Sequence, residues 1–236
     1  MKKNIFSIAA ILLATVVIFS SCGKDDLNDP VVTLTGDDVM EIELGETWEN
    51  PGATAFDEED GKLTSKIVVV GEVDSDKVGS YEIIYKVTDK AGNEGSATRT
   101  VNVKAGKLVH SYEVKLFDGE TGDAVIDDDG NTIEYDITPE SSSVYNRLIF
   151  RGFSGTDLSY KFDATVVGLT IYIEEKVVEP EQAGDLWLKL TDIEGTYIKS
   201  GDKYVITEFT YTEIQSENED FSDADVFSTK EVWTLE

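Results

Sequence analysis

Tyr81-Glu82-Ile83-Ile84-Tyr85-Lys86-Val87-Thr88 decides the fold. In an extended chain Tyr81, Ile83, Tyr85 and Val87 fall on one side, and Glu82, Ile84 and Lys86 on the other. Successive Cβ atoms of a strand point to opposite faces, so this period of two predicts a half-buried β-strand. The same rhythm recurs upstream, where Met40, Ile42 and Leu44 alternate with Glu41 and Glu43. Gly36, Gly45, Gly52, Gly61, Gly71, Gly79, Gly92 and Gly95 interrupt the pattern at short intervals. Short strands separated by turn glycines predict antiparallel sheets packed as a sandwich. No helical period is sustained here.

The pattern continues past Lys104. Val109, Ser111, Glu113 and Lys115 alternate with His110, Tyr112, Val114 and Leu116. Further strands are expected over 160–167, 169–174, 186–191, 195–199, 204–212 and 226–235, the last closing a sheet edge. Ser200-Gly201-Asp202-Lys203 reads as the turn of a hairpin. Tyr160, Phe162, Tyr172, Phe209 and Tyr211 sit in these patterns and are assigned to the core. The expected fold is therefore all-β: a sandwich, then a second antiparallel β-sandwich or barrel-like domain.

The first segment reads as an address. Lys2 and Lys3 precede an apolar run over residues 5–19, broken only by Ser7 and Thr15. That run is shorter than the roughly 20 residues a spanning helix needs, which fits a secretory signal. It ends at Phe19-Ser20-Ser21-Cys22, which resembles a bacterial lipoprotein lipobox, with Phe19 where that family usually carries Leu. The resemblance implies that Cys22 becomes an acylated first residue. Several acyl chains at ~0.8 kcal/mol per buried CH2 would make a lasting membrane anchor. The alternative is a plain secretory signal with a chance cysteine. Gly23-Lys24-Asp25-Asp26 resembles the Lys-acidic-acidic export tag of Bacteroidetes surface lipoproteins, implying display on the outer membrane, facing outward.

Residues 30–104 resemble the immunoglobulin-like domains of bacterial surface proteins. The resemblance is carried by Glu43-Leu44-Gly45-Glu46-Thr47-Trp48, Asn50-Pro51-Gly52-Ala53-Thr54-Ala55 and Asp57-Glu58-Glu59-Asp60-Gly61. It continues through Val78-Gly79-Ser80-Tyr81, Tyr85-Lys86-Val87-Thr88-Asp89-Lys90-Ala91-Gly92-Asn93 and Arg99-Thr100-Val101-Asn102-Val103. Trp48 stands where the family often has Tyr. Such a domain implies a spacer or adhesive role without catalysis. The chain thus divides into a signal peptide at 1–21, a tether at 22–29, an Ig-like sandwich at 30–104 and a C-terminal β-domain at 105–236. Lys104-Ala105-Gly106-Lys107 is too short for a free linker, so the two domains are expected to stay close. The C-terminal part is similar, in arrangement and β-pattern, to uncharacterised domains of Bacteroidetes lipoproteins that often accompany glycan-uptake systems.

Composition narrows the function. One Cys excludes an internal disulfide framework, and one His excludes His-rich metal ligation. A net charge of −28 argues against ordinary binding to a nucleic-acid phosphate backbone. No nucleophile elbow, phosphate loop, zinc-protease motif or Cys–His pair is present, so the protein reads as a non-enzyme. With 48 acids, a carboxylate pair fit for glycoside hydrolysis carries no information, which leaves a hydrolase as the third reading.

Two sets of residues are candidate sites. Asp57 and Asp60 lie in one loop, and Asp89 and Asn93 in another. Calcium needs six to eight hard oxygens, and these four could supply several if the loops share one end of the sandwich. The competing account is that Asp and Asn simply cap their own turns. Asp127-Asp128-Asp129-Gly130-Asn131 lacks EF-hand spacing and reads as an acidic turn. For glycan, aromatic faces flanked by polar groups are the requirement. Tyr145, Arg147, Arg151 and Trp187 are nominated, against ordinary packing and loop chemistry. His110, beside the boundary, is expected to pack at an interface. The leading expectation is capture of polysaccharide for uptake. An adhesive module for another envelope protein is the alternative.

Overall fold

The computed structural model describes residues 26–156, 158, 160–180 and 186–236; Cys22 and the signal segment lie outside them. Seven strands make the N-terminal part: β1 (Val31–Leu34), β2 (Val39–Glu43), β3 (Ala53–Asp57), β4 (Gly61–Lys62), β5 (Val68–Val70), β6 (Gly79–Thr88) and β7 (Glu94–Lys104). They form two sheets, ordered β1-β3-β4 and β2-β7-β6-β5. All pairings are antiparallel except β2 with β7, which is parallel from Val39↔Thr100 to Glu43↔Lys104. The alternation that opened the reading holds in β6: Ile83, Tyr85 and Val87 are buried, while Glu82 and Lys86 face water. Ala55, Leu63 and Val87 close the gap between the sheets near β4.

Arg99 is the unexpected core residue. It is fully buried in β7, under the ring of Tyr85. Its guanidinium donates to the carbonyls of Asp37 (2.9 Å) and Thr35 (2.6 Å) and to the Tyr85 hydroxyl (3.0 Å). A rigid fork of donors matched by oxygens makes this burial tolerable.

The C-terminal part contains β8 (Tyr112–Asp118), β9 (Glu134–Ile137), β10 (Glu140–Ser141), β11 (Arg147–Arg151) and β12 (Lys161–Val167). It continues with β13 (Thr170–Ile173), β14 (Lys176–Val178), β15 (Trp187–Ser200), β16 (Lys203–Ser216) and β17 (Asp225–Leu235). Together they build one ten-stranded sheet ordered β10-β11-β12-β13-β15-β16-β17-β8-β9, with β14 added alongside β15. The sheet curls into a half-barrel. Its concave side is filled by aromatic rings: Phe209 stands 5.6 Å from Phe150, 5.1 Å from Phe153 and 5.1 Å from Trp233, at tilted or edge-on angles. Among the described residues no helix is long and apolar enough to cross a membrane.

Three expectations change. The 226–235 strand does not close an edge, because β17 pairs with β16 on one side and β8 on the other. Strands expected at 186–191 and 195–199 are one strand, β15, carrying a bulge between Thr191 and Glu194 where Asp192 takes φ 53°. The extra residue moves the inward set from Leu188 and Leu190 to Ile193, Gly195 and Tyr197, so the period of two breaks mid-strand. Tyr172 is 43% exposed, since its neighbours Ile171 and Ile173 take the inward positions of β13.

The two parts share one apolar core, running from Ile42, Val101 and Val103 through Ala105 and Leu108 to Tyr112 and Ile206. Residues 105–108 form a 3-10 turn, with Ala105 and Leu108 buried. The distal end of the β15–β16 hairpin rests on the N-terminal sheets. The Tyr197 hydroxyl donates to the Gly168 carbonyl (2.6 Å) and accepts from Val78 N (3.0 Å). Asp76 accepts from Tyr204 and, at 2.8 Å, from Lys199. Gly45, at φ 82°, is required here, because a Cβ would stand 2.6 Å from the Tyr204 ring. Such a seam holds the two parts in a fixed relation.

Candidate functional site

Three constellations have the chemistry of a site. The first lies at the end of the Ig-like sandwich where the β3–β4 and β6–β7 turns meet. Both turns are built by aspartates capping their own backbone. Asp57 Oδ1 accepts from the N–H groups of Glu59 (3.0 Å) and Asp60 (2.7 Å), and Asp89 Oδ1 from those of Gly92 (2.6 Å) and Asn93 (2.8 Å). The same geometry brings Asp57 and Asp89 together with Asp26 from the chain's entry, each offering an oxygen within 4.8 Å of the others. Asn93 Nδ2 donates to Asp89 Oδ2 (2.8 Å) and to the Asp26 carbonyl (3.1 Å). Burial pushes the Asp89 carboxyl up, but the donors on Asn93, Gly92 and Ala91 outweigh it and hold it below the ordinary range. Asp60 turns away and binds Lys90, whose Nζ and N–H each reach it at 2.7 Å. Those bonds lower the Asp60 pKa, the side-chain one most. Of the four expected ligands, then, Asp57 and Asp89 converge, Asn93 bridges, and Asp60 is committed elsewhere.

The second constellation is a groove of about 520 Å³ at the seam, beside the 105–108 turn. Tyr145 and Arg147 both line it, with Ser141, Ser142, Ser143, Lys104, Lys107, Glu41 and Glu43. Its backbone is pinned at three points. Ala105 N–H donates to the Tyr145 carbonyl (2.8 Å), Val166 N–H to that of Asn146 (2.8 Å), and Arg147 N–H to that of Val144 (3.1 Å). Lys104 is tied to Glu43 (2.7 Å) and Glu41 (3.9 Å). Among the described residues neither Lys107 nor Arg147 has a carboxylate within 4.0 Å, so the groove keeps two cations open in a chain of net charge −28. Arg151 is not part of the groove's lining; it pairs with Glu140 at 2.7 Å across β10 and β11. Trp187 is half-buried at the start of β15, opposite Ser216, and does not line the groove. His110 lines a neighbouring groove of about 550 Å³ with Glu46, Lys203 and Tyr204, its Nε2 buried without a partner.

Glu231 forms the third, which the sequence reading missed. It is fully buried in β17. Oε1 accepts from the hydroxyls of Tyr135 (2.6 Å) and Tyr211 (2.9 Å), and Oε2 from Trp233 Nε1 (3.0 Å). Ser154, at φ 58°, completes the ring: its N–H donates to the Tyr135 oxygen (2.9 Å) and its hydroxyl stands 2.7 Å from that of Tyr211. Burial raises the Glu231 carboxyl to about 7, against the bonds from Tyr135, Trp233, Tyr211 and the Ser154 backbone that lower it. Burial likewise pushes both phenols well above their usual range, with the Glu231 charge adding to it. Both carboxylate oxygens are satisfied and the residue is fully buried, so the network fixes the core. The one available signal was phase: Thr229, Glu231 and Trp233 share a face of β17.

Residues 32–103 match the family described as bacterial surface protein, Ig-like domain, and this part of the chain is such a domain. A crystal structure of a lipoprotein from Bacteroides thetaiotaomicron is similar at 16% identity and a TM-score of 0.32, covering 86% of this chain and 99% of its own. Two structures of ZmpB from Clostridium perfringens are similar at 15% identity and a TM-score of 0.27. One holds a CBM51 module in complex with GlcNAc and INT domains, and covers 88% of this chain and 44% of its own. The other holds the M60 catalytic domain with two CBM51 modules, and covers 87% of this chain and 21% of its own. Similarity this low fixes no ligand. No curated protein matches the chain.

Proposed function

We propose that the protein is a lipid-anchored binding protein of the outer membrane, displayed outward, which captures polysaccharide in the seam groove without acting on it chemically. Acylated Cys22 is the anchor, the Ig-like domain raises the half-barrel, and the groove between them takes the sugar. One observation carries the reading: Tyr145 and Arg147 meet in a groove of ligand size, with three serine hydroxyls beside them, on a backbone already hydrogen-bonded in place. A sugar ring needs an apolar face, donors and acceptors for its hydroxyls, and little reorganisation of the loop that holds them. Arg147 and Lys107 supply donors without losing an ion pair. The test is retention of the full-length protein on a polysaccharide panel in affinity electrophoresis. Retention by at least one glycan is expected, weakened about tenfold by Arg147→Ala or Tyr145→Ala, which is about 1.4 kcal/mol. Migration unaffected by every polysaccharide would remove the reading.

Docking to another envelope protein is favoured by a different feature. At the edge of its sheet, β5 shows Val68, Val69 and Val70 all 47–61% exposed, with one side of the strand unpaired among the described residues. An unprotected apolar edge can accept a partner's strand. Cross-linking from intact cells, lost on Val69→Lys, would support that reading over the first.

A further inference from the structure

We infer that Asp26, Asp57 and Asp89 bind one calcium ion, and that this ion clamps the tether onto the Ig-like domain. The three carboxylates each place an oxygen within 4.8 Å of the other two. Three oxygens evenly spaced at ~2.4 Å from one calcium ion stand about 4.2 Å apart, so a set already within 4.8 Å needs to close by at most a few tenths of an ångström to hold one ion.

Asp57 supplies the independent observation. It is 2% exposed, its Oδ1 is used by two backbone donors, and its Oδ2 is sealed from water with no hydrogen-bond partner among the described residues. A buried acceptor without a donor is costly, and like charges alongside make it more so. Lys90 acts on Asp57 only through space, because its own bonds go to Asp60, so Oδ2 gains no donor from it. A divalent cation would remove both penalties at once.

The donor set names the metal class. All the available atoms are hard oxygens, and the chain's single His and single Cys lie elsewhere in the sequence, which disfavours zinc. Magnesium demands a strict octahedron and gives up water reluctantly, whereas calcium accepts irregular carboxylate and carbonyl shells. Asn93 Nδ2 now donates to Asp89 Oδ2 and to the Asp26 backbone carbonyl. Turning the amide over frees both and presents Oδ1 as a further ligand.

The consequence is mechanical, and it rests on the anchoring at Cys22 proposed above. Asp26 lies four residues beyond Cys22, and Pro30, where the sandwich begins, lies eight beyond it. At ~3.5 Å per residue the reach from Cys22 is at most about 28 Å to Pro30 and about 14 Å to Asp26, so an ion at Asp26 would tighten a hold that the Asn93 bond to the Asp26 carbonyl already begins. Pro30 is already held: its carbonyl sits where a Cβ on Gly95 would be 1.8 Å away. Calcium would extend that hold four residues toward the membrane.

Calorimetric titration of EDTA-stripped full-length protein with calcium chloride tests this. One site is expected, with a melting temperature roughly 5–10 °C higher at a hundredfold excess over Kd. Asp57→Asn should abolish the heat while melting no lower than wild type in EDTA. Asp26→Asn, outside every strand, should weaken binding at least about tenfold. Amide exchange over residues 26–29 should slow with calcium. No heat and an unmoved melting temperature in wild type would overturn the site, as would binding unchanged in Asp57→Asn. Binding indifferent to Asp26→Asn would overturn the clamp. None of these readouts depends on the polysaccharide or on the lipid.

Discussion

Asp57 and Glu231 are both acids shut away from water, and the protein keeps them in opposite ways. Glu231 has a donor for each lone pair that matters, from Tyr135, Tyr211 and Trp233. Asp57 has two backbone donors on one oxygen, none on the other, and two further carboxylates within reach. The pairing teaches how to tell a structural carboxylate from a poised one. Burial alone does not separate them; the count of donors does. A saturated network holds strands together, whereas an unsaturated one with converging charge has room for a cation.

The largest expected effect is at the saturated site. Glu231→Ala leaves two phenol hydroxyls and an indole N–H facing an empty space. Each stranded donor costs ~1–3 kcal/mol, so a loss of about 4 kcal/mol is expected in urea unfolding. A loss below about 1 kcal/mol would mean that water enters and replaces the carboxylate, and the contrast with Asp57 would fail.

Proton linkage gives the next effect. The folded-state carboxyl of Glu231 lies at about 7, against an ordinary 4.5. Between those values the native state holds a proton that the unfolded chain has released. Stability from this group is therefore complete below pH 4.5 and lost as pH rises through 7. A shift of that size corresponds to about 2.5 kcal/mol between pH 5 and pH 8. Glu231→Gln should flatten this slope, though its amide N–H would face the Trp233 N–H and lower stability at pH 5. An unfolding free energy that stays level from pH 5 to pH 8 in the wild type would contradict the burial argument.

At Asp57 the sign reverses. Asp57→Asn keeps Oδ1 for Glu59 and Asp60 and gives the sealed position a donor that the neighbouring carboxylates can accept. In EDTA the substitution should stabilise by about 1 kcal/mol, measured by thermal unfolding. The same change from acid to amide would then help one buried site and harm the other.

How much of this was legible follows from the range of each signal. Strand periodicity is local, and it placed Ile83, Tyr85 and Val87 inward as observed. Asp192 shows its limit, because a single bulge residue inverts the phase of β15 and divides one strand into two apparent ones. Tyr145 and Arg147 were nominated from composition, and the fold brings them into one groove; Arg151 answers Glu140 and Trp187 belongs to another part of the sheet. Glu231 was readable by phase from Trp233, but its hydroxyl donors stand 96 and 20 residues away in the chain. Charge argued for the surface, and only those distant partners overrule it. Asp26 was hidden for the same reason: it lies in a polar tether, and its contact with Asn93 spans 67 residues.

The smallest expected effect is at Asp60, and it sharpens the comparison most finely. Asp60 sits three residues from Asp57, and by spacing alone it is as good a ligand. Its partner Lys90 is mostly exposed, at 76% of the side chain against 11% for Asp60, and an Asn there still accepts from the Lys90 N–H, so little stability goes with the charge. Asp60→Asn should therefore leave the melting temperature nearly unchanged. It should also leave the calcium midpoint where it was, because both Asp60 oxygens face Lys90. Calcium titration of this variant beside Asp57→Asn separates ligation from general negative charge. If Asp60→Asn weakens calcium as much as Asp57→Asn does, the loop attracts cations only as a diffuse acidic surface, and the distinction between a saturated and an unsaturated carboxylate loses its meaning there.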